Sequence, residues 1–305
     1  MKLFETYKIA PEHDGLTVEI YLKQILQYSG RKIQKLTRKK GLFINGKPAY
    51  LQRKIKPTDT LRVLVLQDAS YGVEPEQGQI EILYEDEFLL VLNKPAHQLV
   101  HPTGRTSTGT LANFLAFKLK QRGVVCTVRP IHRLDRETSG CVIFAKDAAS
   151  QHLLEQQLQS GTLKRTYQAL VKGLVEPPTG TIDARIGEHP HQRNQRAITP
   201  QGEPARTHYT TLQRFQNESL LELTLETGRT HQIRLHLAHL GYPIIGDGMY
   251  GVRSSLMARQ ALHAVSISFV HLREKRQLLV NAPLPNDFAR AVEALSKTNA
   301  PDNLD

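Results

Sequence analysis

Tryptophan is absent from the 305 residues, and cysteine occurs only twice, as Cys126 and Cys141. Two cysteines are too few for a disulfide framework, and neither lies in a CxxC or Cys/His metal-ligand pattern. No apolar run approaches the roughly eighteen residues needed to cross a bilayer, and the first residues lack the apolar core of a secretory signal. We therefore expect reduced thiols, no structural metal and a soluble protein that stays in the cytoplasm.

Positive charge is in excess, with 40 Lys and Arg against 29 Asp and Glu and a formal net charge of +11. Basic side chains neutralise phosphates and release counterions, so this excess favours a polyanionic partner. It is concentrated in residues 1–70, which hold 14 Lys and Arg against 6 Asp and Glu. The length allows one large domain and a small one. We predict a small basic module followed by a larger domain.

The basic module has the pattern of a small α/β unit. Apolar residues have helical spacing over 17–28, and 31–40 predicts an amphipathic helix with a basic outer face. The Asn45-Gly46 pair predicts a hairpin, and 60–65 predicts the last strand. This order resembles an S4-like RNA-binding domain, although an exposed charged helix on any small module is the alternative. The resemblance implies RNA contacts by Lys35, Arg38, Lys39, Lys40 and Lys47.

A polar segment rich in Gly and Pro, 71–79, predicts a linker, so the larger domain is expected over 80–290 and a frayed C-terminal tail over 291–305. Short strands and helices mix irregularly in that domain, which favours an α+β fold with a mainly antiparallel mixed sheet flanked by helices and loops. The predicted strands are 80–84, 88–92, 141–145, 166–172, 207–214, 219–225, 264–270 and 276–281. The predicted helices are 109–122, 148–160 and 231–240.

The most informative segment is 130–140, which reads Pro-Ile-His-Arg-Leu-Asp-Arg-Glu-Thr-Ser-Gly. It places Asp135 in a turn directly before an apolar strand, so the carboxylate is expected at the rim of the sheet. Loops on a rigid scaffold often carry reactive groups. From spacing alone, a surface Asp that hydrogen-bonds its own backbone is equally consistent.

The residues themselves resemble a known family. His-Arg-Leu-Asp-x-x-Thr-Ser-Gly is similar to the catalytic motif of RNA pseudouridine synthases of the large-ribosomal-subunit (RluA) type. Other motifs of that family follow in order over about two hundred residues, which one chance match cannot explain. They are 92–95 with 100–102, 164–171, 228–236, 241–247, 262–264 and 282–285. His97 departs from the pattern, because many members have glycine there.

The resemblance implies a catalytic mechanism that needs no metal or organic cofactor. Asp135 would be the catalytic aspartate, which attacks the sugar or base or removes a sugar proton. Tyr167 would stack on the target base, with a core tyrosine as the alternative. Arg234 would be the charge partner of the carboxylate, with Arg229 as the other candidate, because a nearby guanidinium favours the ionised form.

The resemblance also implies RNA contacts in the larger domain. The target uridine must leave its stack to reach the carboxylate, so we expect base flipping. Arg133 is a candidate for insertion into the vacated stack, with a phosphate contact or an ion pair as the alternative. His132, which adjoins it, and Arg229 are further RNA-binding candidates. The polar segment 187–196, with Arg193 and Arg196, occupies the place of a mobile RNA-gripping loop.

Three other functions are consistent with single features. A metal-dependent hydrolase would use His231, His236 and His239, but their spacing fits no common ligand pattern. A glycosidase would need a second carboxylate opposite Asp135, and Glu137 alone does not establish one. A non-catalytic RNA-binding or ribosome-assembly protein would need only the basic module. Ribosomal RNA is the expected substrate, transfer RNA is the alternative, and a monomer is expected.

Overall fold

A computed structural model of the chain describes residues 3–66, 68–104, 106–192 and 194–298. Contacts between Cα atoms divide the chain into two compact units, Met1–Ala69 and Ser70–Asp305. Each unit has its own apolar core.

The first unit is a four-stranded antiparallel sheet covered by short helices. Its strands lie in the order β1-β4-β2-β3. Its elements are β1 (Phe4–Lys8), a 3-10 helix (Pro11–His13), α1 (Val18–Ile20) continued by a π-helix (Tyr21–Ile25), α2 (Gly30–Arg38), β2 (Leu42–Ile44), β3 (Lys47–Pro48) and β4 (Thr60–Leu64).

Local sequence explains the two elements of this unit that the sequence predicts most directly. The side chain of Ser29 caps α2 by accepting a hydrogen bond from the backbone N–H of Lys32, as N-cap serines do. Only Ile33 and Leu36 of α2 are fully buried, and three of its four cations, Arg31, Lys35 and Arg38, are exposed. Asn45 and Gly46 take positive φ angles of 51° and 79°, the backbone of the tight hairpin turn that Asn-Gly favours.

The second unit contains twelve strands and four helices among its described residues. The strands are β5 (Glu81–Glu85), β6 (Leu89–Lys94), β7 (Arg129–Pro130), β8 (Ser139–Ala145), β9 (Lys164–Lys172), β10 (Thr179–Asp183), β11 (Ile186–Glu188), β12 (Arg196–Ile198), β13 (Arg206–Arg214), β14 (Glu218–Leu225), β15 (Leu262–Val270) and β16 (Gln277–Asn281). The helices are α3 (Leu111–Gln121), α4 (Ala148–Gln159), α5 (Gln232–His239) and α6 (Asn286–Thr298).

One large mixed sheet organises this unit, in the order β10-β13-β14-β9-β15-β8-β6-β5. All of its pairings are antiparallel except that of β8 with β15, which is parallel. β8 is buried along its whole length, and its alternate residues enter two separate apolar cores, one on each face of the sheet. The expected α+β fold with a mainly antiparallel sheet is confirmed.

Three segments differ in detail from the sequence-based expectations. The second unit begins at Ser70 and therefore includes 71–79, where the backbone N–H of Val128 donates to the carbonyl of Tyr71 at 2.8 Å. The expected boundary at 290 falls inside α6, whose apolar side is buried against the larger core. The segment 187–196 begins in β11 and ends in β12, which pair as antiparallel strands.

Gly140 is the second residue of β8, just after the Asp135 turn, and has a φ of 112°. A Cβ at this position would lie 2.2 Å from the carbonyl oxygen of Ala264 in β15. Gly140→Ala should therefore combine backbone strain with an unavoidable clash and destabilise the second unit by more than about 3 kcal/mol. Gly241→Ala is the matched control, because Gly241 also has a positive φ, 90°, but open space around its Cβ position. Urea denaturation should separate the two variants, and equal losses would contradict the steric argument.

Candidate active site

Asp135 lies in the turn between β7 and β8, where the backbone N–H of Thr138 donates to the carbonyl of Asp135 at 3.1 Å. Its side chain is 26% exposed and faces a cleft of about 920 Å³. Nη1 of Arg234 donates to its Oδ2 at 2.9 Å. Arg234 comes from the first turn of α5, so the loop before β8 and this helix together form the carboxylate–guanidinium pair.

Arg234 is fixed from behind by Asp247, a carboxylate that is only 1% exposed. Nε and Nη2 of Arg234 donate to the two oxygens of Asp247 at 2.7 and 2.8 Å. Burial alone would lower the pKa of Arg234, but the hydrogen bonds and charges of Asp247 and Asp135 raise it. Burial opposes ionisation of Asp247, yet Arg234 and two backbone N–H groups lower its pKa. Both groups are therefore charged at neutral pH, and the guanidinium has a fixed orientation.

Tyr167 lies on β9 beside the carboxylate and is 4% exposed. It lines a small pocket of about 70 Å³ together with Asp135, Ile233 and Arg234. Burial raises the pKa of its hydroxyl, and the charge of Arg165 opposes that shift. The ring is thus neutral at physiological pH and presents an aromatic surface next to the carboxylate.

A buried polar network supports the Asp135 turn from below. Lys94 is fully buried, and its Nζ donates to the carbonyls of Pro95, Gln98 and Arg136 at 2.7, 2.7 and 3.0 Å. Burial lowers the pKa of Lys94 to about 7. Nη1 of Arg259 donates to the carbonyl of Glu137 at 3.1 Å. Two buried cations therefore hold the loop that carries the carboxylate through its backbone carbonyls.

The two loops beside the carboxylate are also joined directly. Arg136 Nε donates to the carbonyl of His97, and the His97 ring pairs with Glu137. His97 has a φ of 63°, a left-handed conformation that glycine adopts most readily. The departure from the family pattern at this position therefore keeps the expected backbone while adding a side-chain contact to Glu137.

The other RNA-binding candidates have different surroundings. Arg133 is exposed and lines the cleft. Arg229 pairs with Glu203 at 2.6 Å rather than with Asp135. Arg196 pairs with Glu188 at 3.1 Å, whereas Arg193 lies outside the described residues. The candidates of the first unit are all exposed, namely Lys35, Arg38, Lys39, Lys40 and Lys47.

His132 is buried, in contrast to the exposed RNA contact that its place in the motif suggests. The backbone N–H of Ile143 donates to its Nε2 at 3.5 Å. Burial, together with the charge of Arg165, lowers the pKa of His132 to about 3. The neutral ring therefore carries its proton on Nδ1, which has no hydrogen-bond partner.

Buried histidines predict a loss of stability in acid. An unfolded histidine takes up a proton near pH 6.5, whereas His132 and His263 resist protonation down to about pH 3 and 4 because burial lowers each pKa. The free energy of unfolding should therefore fall as the pH decreases from about 6.5 to 4. His132→Asn should reduce this slope by about one proton, or about 1.4 kcal/mol per pH unit. Urea denaturation across this range checks the change, with exposed His191→Asn as the control, and an unaltered slope would refute it.

Sequence reasoning missed several residues of this site. Asp247 lies within a quoted motif, 241–247, but nothing in its local pattern indicates that it holds Arg234. Lys94 and Arg165 also lie in quoted motifs, and their burial could not be read from residue type, because lysine and arginine are usually exposed. A signal was present in principle: charged residues within apolar strands are exceptional unless they are paired or functional.

The histidines proposed for a metal site point to separate partners. The ring of His231 contacts the hydroxyl of Tyr250 at 3.0 Å, and the ring of His236 contacts Thr207 and the carbonyl of Ala184, both at 2.9 Å. Across residues 3–66, 68–104, 106–192 and 194–298, no three His, Cys, Asp or Glu side chains are grouped as metal ligands would be. In the same described ranges, none of the helices is long and apolar enough to cross a membrane.

Comparison with solved structures shows which class of protein has this fold. The structure of human RNA Pseudouridylate Synthase Domain Containing 4 superposes with a TM-score of 0.59 at 23% identity, over 71% of this chain and 93% of that one. That of human RNA Pseudouridylate Synthase Domain Containing 1 gives 0.56 at 25% identity, over 74% of this chain and 100% of that one. The fold is that of pseudouridine synthases.

Sequence comparison gives the family. Residues 88–239 match the model of the RNA pseudouridylate synthase family. An RNA pseudouridine synthase of Bacillus subtilis is 39% identical over 282 residues, 92% of this chain and 93% of its own. Ribosomal large subunit pseudouridine synthase D of Nitrosomonas europaea is 38% identical over 292 residues, 92% of this chain and 85% of its own. The chain belongs to the RNA pseudouridylate synthase family and is an enzyme that isomerises uridine in RNA to pseudouridine.

Proposed function

We propose that Asp135 is the catalytic carboxylate of this isomerase and that it acts on a uridine flipped out of the RNA stack. The observation that carries the proposal is the 2.9 Å contact between Asp135 and Arg234 at the floor of an open cleft. A charged guanidinium held by Asp247 keeps the carboxylate in one orientation. A uridine within an RNA helix could not reach this group, so the nucleotide has to enter the cleft.

We propose that Tyr167 stacks on the uracil ring and that Arg234 is a positioning residue for the carboxylate. Tyr167 offers a buried aromatic face beside Asp135, and stacking on aromatic rings is a common way to hold an extruded base. Arg234 has two carboxylate partners, so its role is to orient Asp135. Arg133, which is exposed at the cleft, is proposed to brace the gap left in the RNA.

We propose large-subunit ribosomal RNA as the substrate. Relatives that carry the name ribosomal large subunit pseudouridine synthase D match 92% of this chain. With 292 or more aligned residues, these matches are longer than the second unit and include part of the basic first unit. The exposed cations of that unit suit contacts with the phosphates of a large folded RNA, and its S4-like character remains part of this proposal. Transfer RNA is the second candidate substrate, and we propose a cytoplasmic monomer.

The test is a map of pseudouridines in total RNA from cells with and without the gene. We expect at least one uridine of large-subunit ribosomal RNA to lose its modification when the gene is deleted and to regain it when purified protein is added to the unmodified transcript. Loss of a site in transfer RNA alone would overturn the ribosomal assignment. Unchanged maps of both RNAs would overturn the substrate proposal altogether.

A further inference from the structure

Arg165 is a buried cation with unusually few partners for its position. It lies on β9 two residues before Tyr167, on the same face of the strand, and is 7% exposed. Its Nη2 donates to the carbonyl of Thr227 at 3.3 Å, and its Nε has no hydrogen-bond acceptor. Among the residues that the structure describes, no carboxylate forms an ion pair with it.

The neighbouring arginines of the cleft differ in this respect. Arg234 is neutralised by two aspartates, and Arg229 pairs with Glu203. Taking a guanidinium out of water is costly unless a counter-charge and hydrogen bonds replace the water. One carbonyl supplies neither a full charge nor enough acceptors for five N–H donors. The charge of Arg165 is therefore available to a negatively charged ligand that enters the cleft.

The surroundings of Arg165 make room for its guanidinium at the wall of the cleft. Its guanidinium lies against Gly228, where a Cβ would be 3.1 Å from Nη1, so the glycine leaves room for it. Arg165 and His132 both line the cleft that contains Asp135, and the charge of Arg165 acts on the ring of His132. Arg165 therefore lines the cleft with hydrogen-bonding capacity that its single carbonyl partner leaves unused.

We propose that Arg165 binds a phosphate of the RNA strand next to the flipped-out uridine. The planar guanidinium presents paired N–H donors that match two phosphate oxygens, and a phosphodiester supplies the missing unit of negative charge. Flipping a nucleotide draws its flanking phosphates toward the cleft together with the base. The neutral uracil ring would leave the buried charge uncompensated. This inference deepens the proposed function, because it assumes that the same cleft receives the target nucleotide.

The first test measures binding of a synthetic RNA that contains the mapped target uridine. Arg165→Gln, made in an Asp135→Asn background, should weaken binding about ten- to a hundredfold. It should also reduce the slope of log Kd against log salt by about 0.7 to 0.9, the value for one lost phosphate contact. Arg165→Lys should keep the slope while weakening binding less. The control is Arg122→Gln, which removes an arginine paired with Glu85 away from the cleft and should leave the affinity within about twofold.

The second test replaces each phosphate flanking the target uridine in turn by an uncharged methylphosphonate. At one position we expect the wild-type protein to lose about ten- to a hundredfold in affinity, and the Arg165→Gln variant to lose nothing further. An equal loss in both proteins at every position would overturn the proposal. If Arg165→Gln does not fold, the wild-type scan and Arg165→Lys decide: no sensitive phosphate, or a reduced slope in Arg165→Lys, would contradict it. These readouts measure binding, so they remain valid if Asp135 proves not to be the catalytic carboxylate.

Discussion

Asp135→Asn should abolish pseudouridine formation while leaving the fold and RNA binding intact. The amide has the shape of the carboxylate and can still accept the hydrogen bond from Arg234 that the structure shows at 2.9 Å. It cannot act as a nucleophile or as a base, so every proposed first step of the reaction is lost. We expect the single-turnover rate to fall by a factor on the order of 10⁴.

The measurement is quantification of pseudouridine in the mapped transcript under single-turnover conditions. Asp183→Asn is the matched control, because it makes the same chemical change in an exposed ion pair with Arg206 and should keep the wild-type rate. Activity of Asp135→Asn at the wild-type level would show that another group carries the reaction.

Asp247→Asn should have the second largest effect, although Asp247 does not contact Asp135 in the structure. The change removes one of two charges that fix Arg234, and it leaves a buried guanidinium partly uncompensated. Breaking one side of such a buried pair costs about 3 to 5 kcal/mol of stability. Because Arg234 then loses its orientation toward Asp135, we expect kcat to fall on the order of 10²-fold with little change in KM.

A double-substitution cycle separates positioning from general destabilisation. If Asp247 acts through Arg234, the variant Asp247→Asn/Arg234→Gln should be no slower than Arg234→Gln alone. Assays at a temperature well below each unfolding transition remove the contribution of stability. Additive losses in kcat, or a change confined to KM, would contradict a positioning role for Asp247.

The sequence predicts those parts of the fold that depend on neighbours along the chain. The Asn45-Gly46 turn and the apolar strand after Asp135 follow from local pattern. β1 and β10 were missed because both alternate weakly and lie at sheet edges, where half of each strand faces solvent. Their place is set by their partner strands, β4 and β13.

The candidate site also has a part that the sequence predicts and a part that depends on tertiary packing. The resemblance to pseudouridine synthases predicted Asp135, Tyr167 and Arg234 as site residues, and the structure places all three around one pocket. It left open whether Arg234 or Arg229 contacts the carboxylate, because the choice depends on how α5 packs against a loop ninety-nine residues away. The role of Asp247 and the isolation of Arg165 were likewise invisible, since both are properties of burial and pairing.

The parallel pairing of β8 with β15 has a consequence for the protein during its synthesis. Gly140 aligns with Ala264. The strand that follows the Asp135 turn therefore pairs with a strand that is translated more than one hundred residues later. Long-range pairings of this kind form late and slowly. A chain that ends before β15 would leave one edge of β8 unpaired, so we expect it not to hold the turn of Asp135 in its final position.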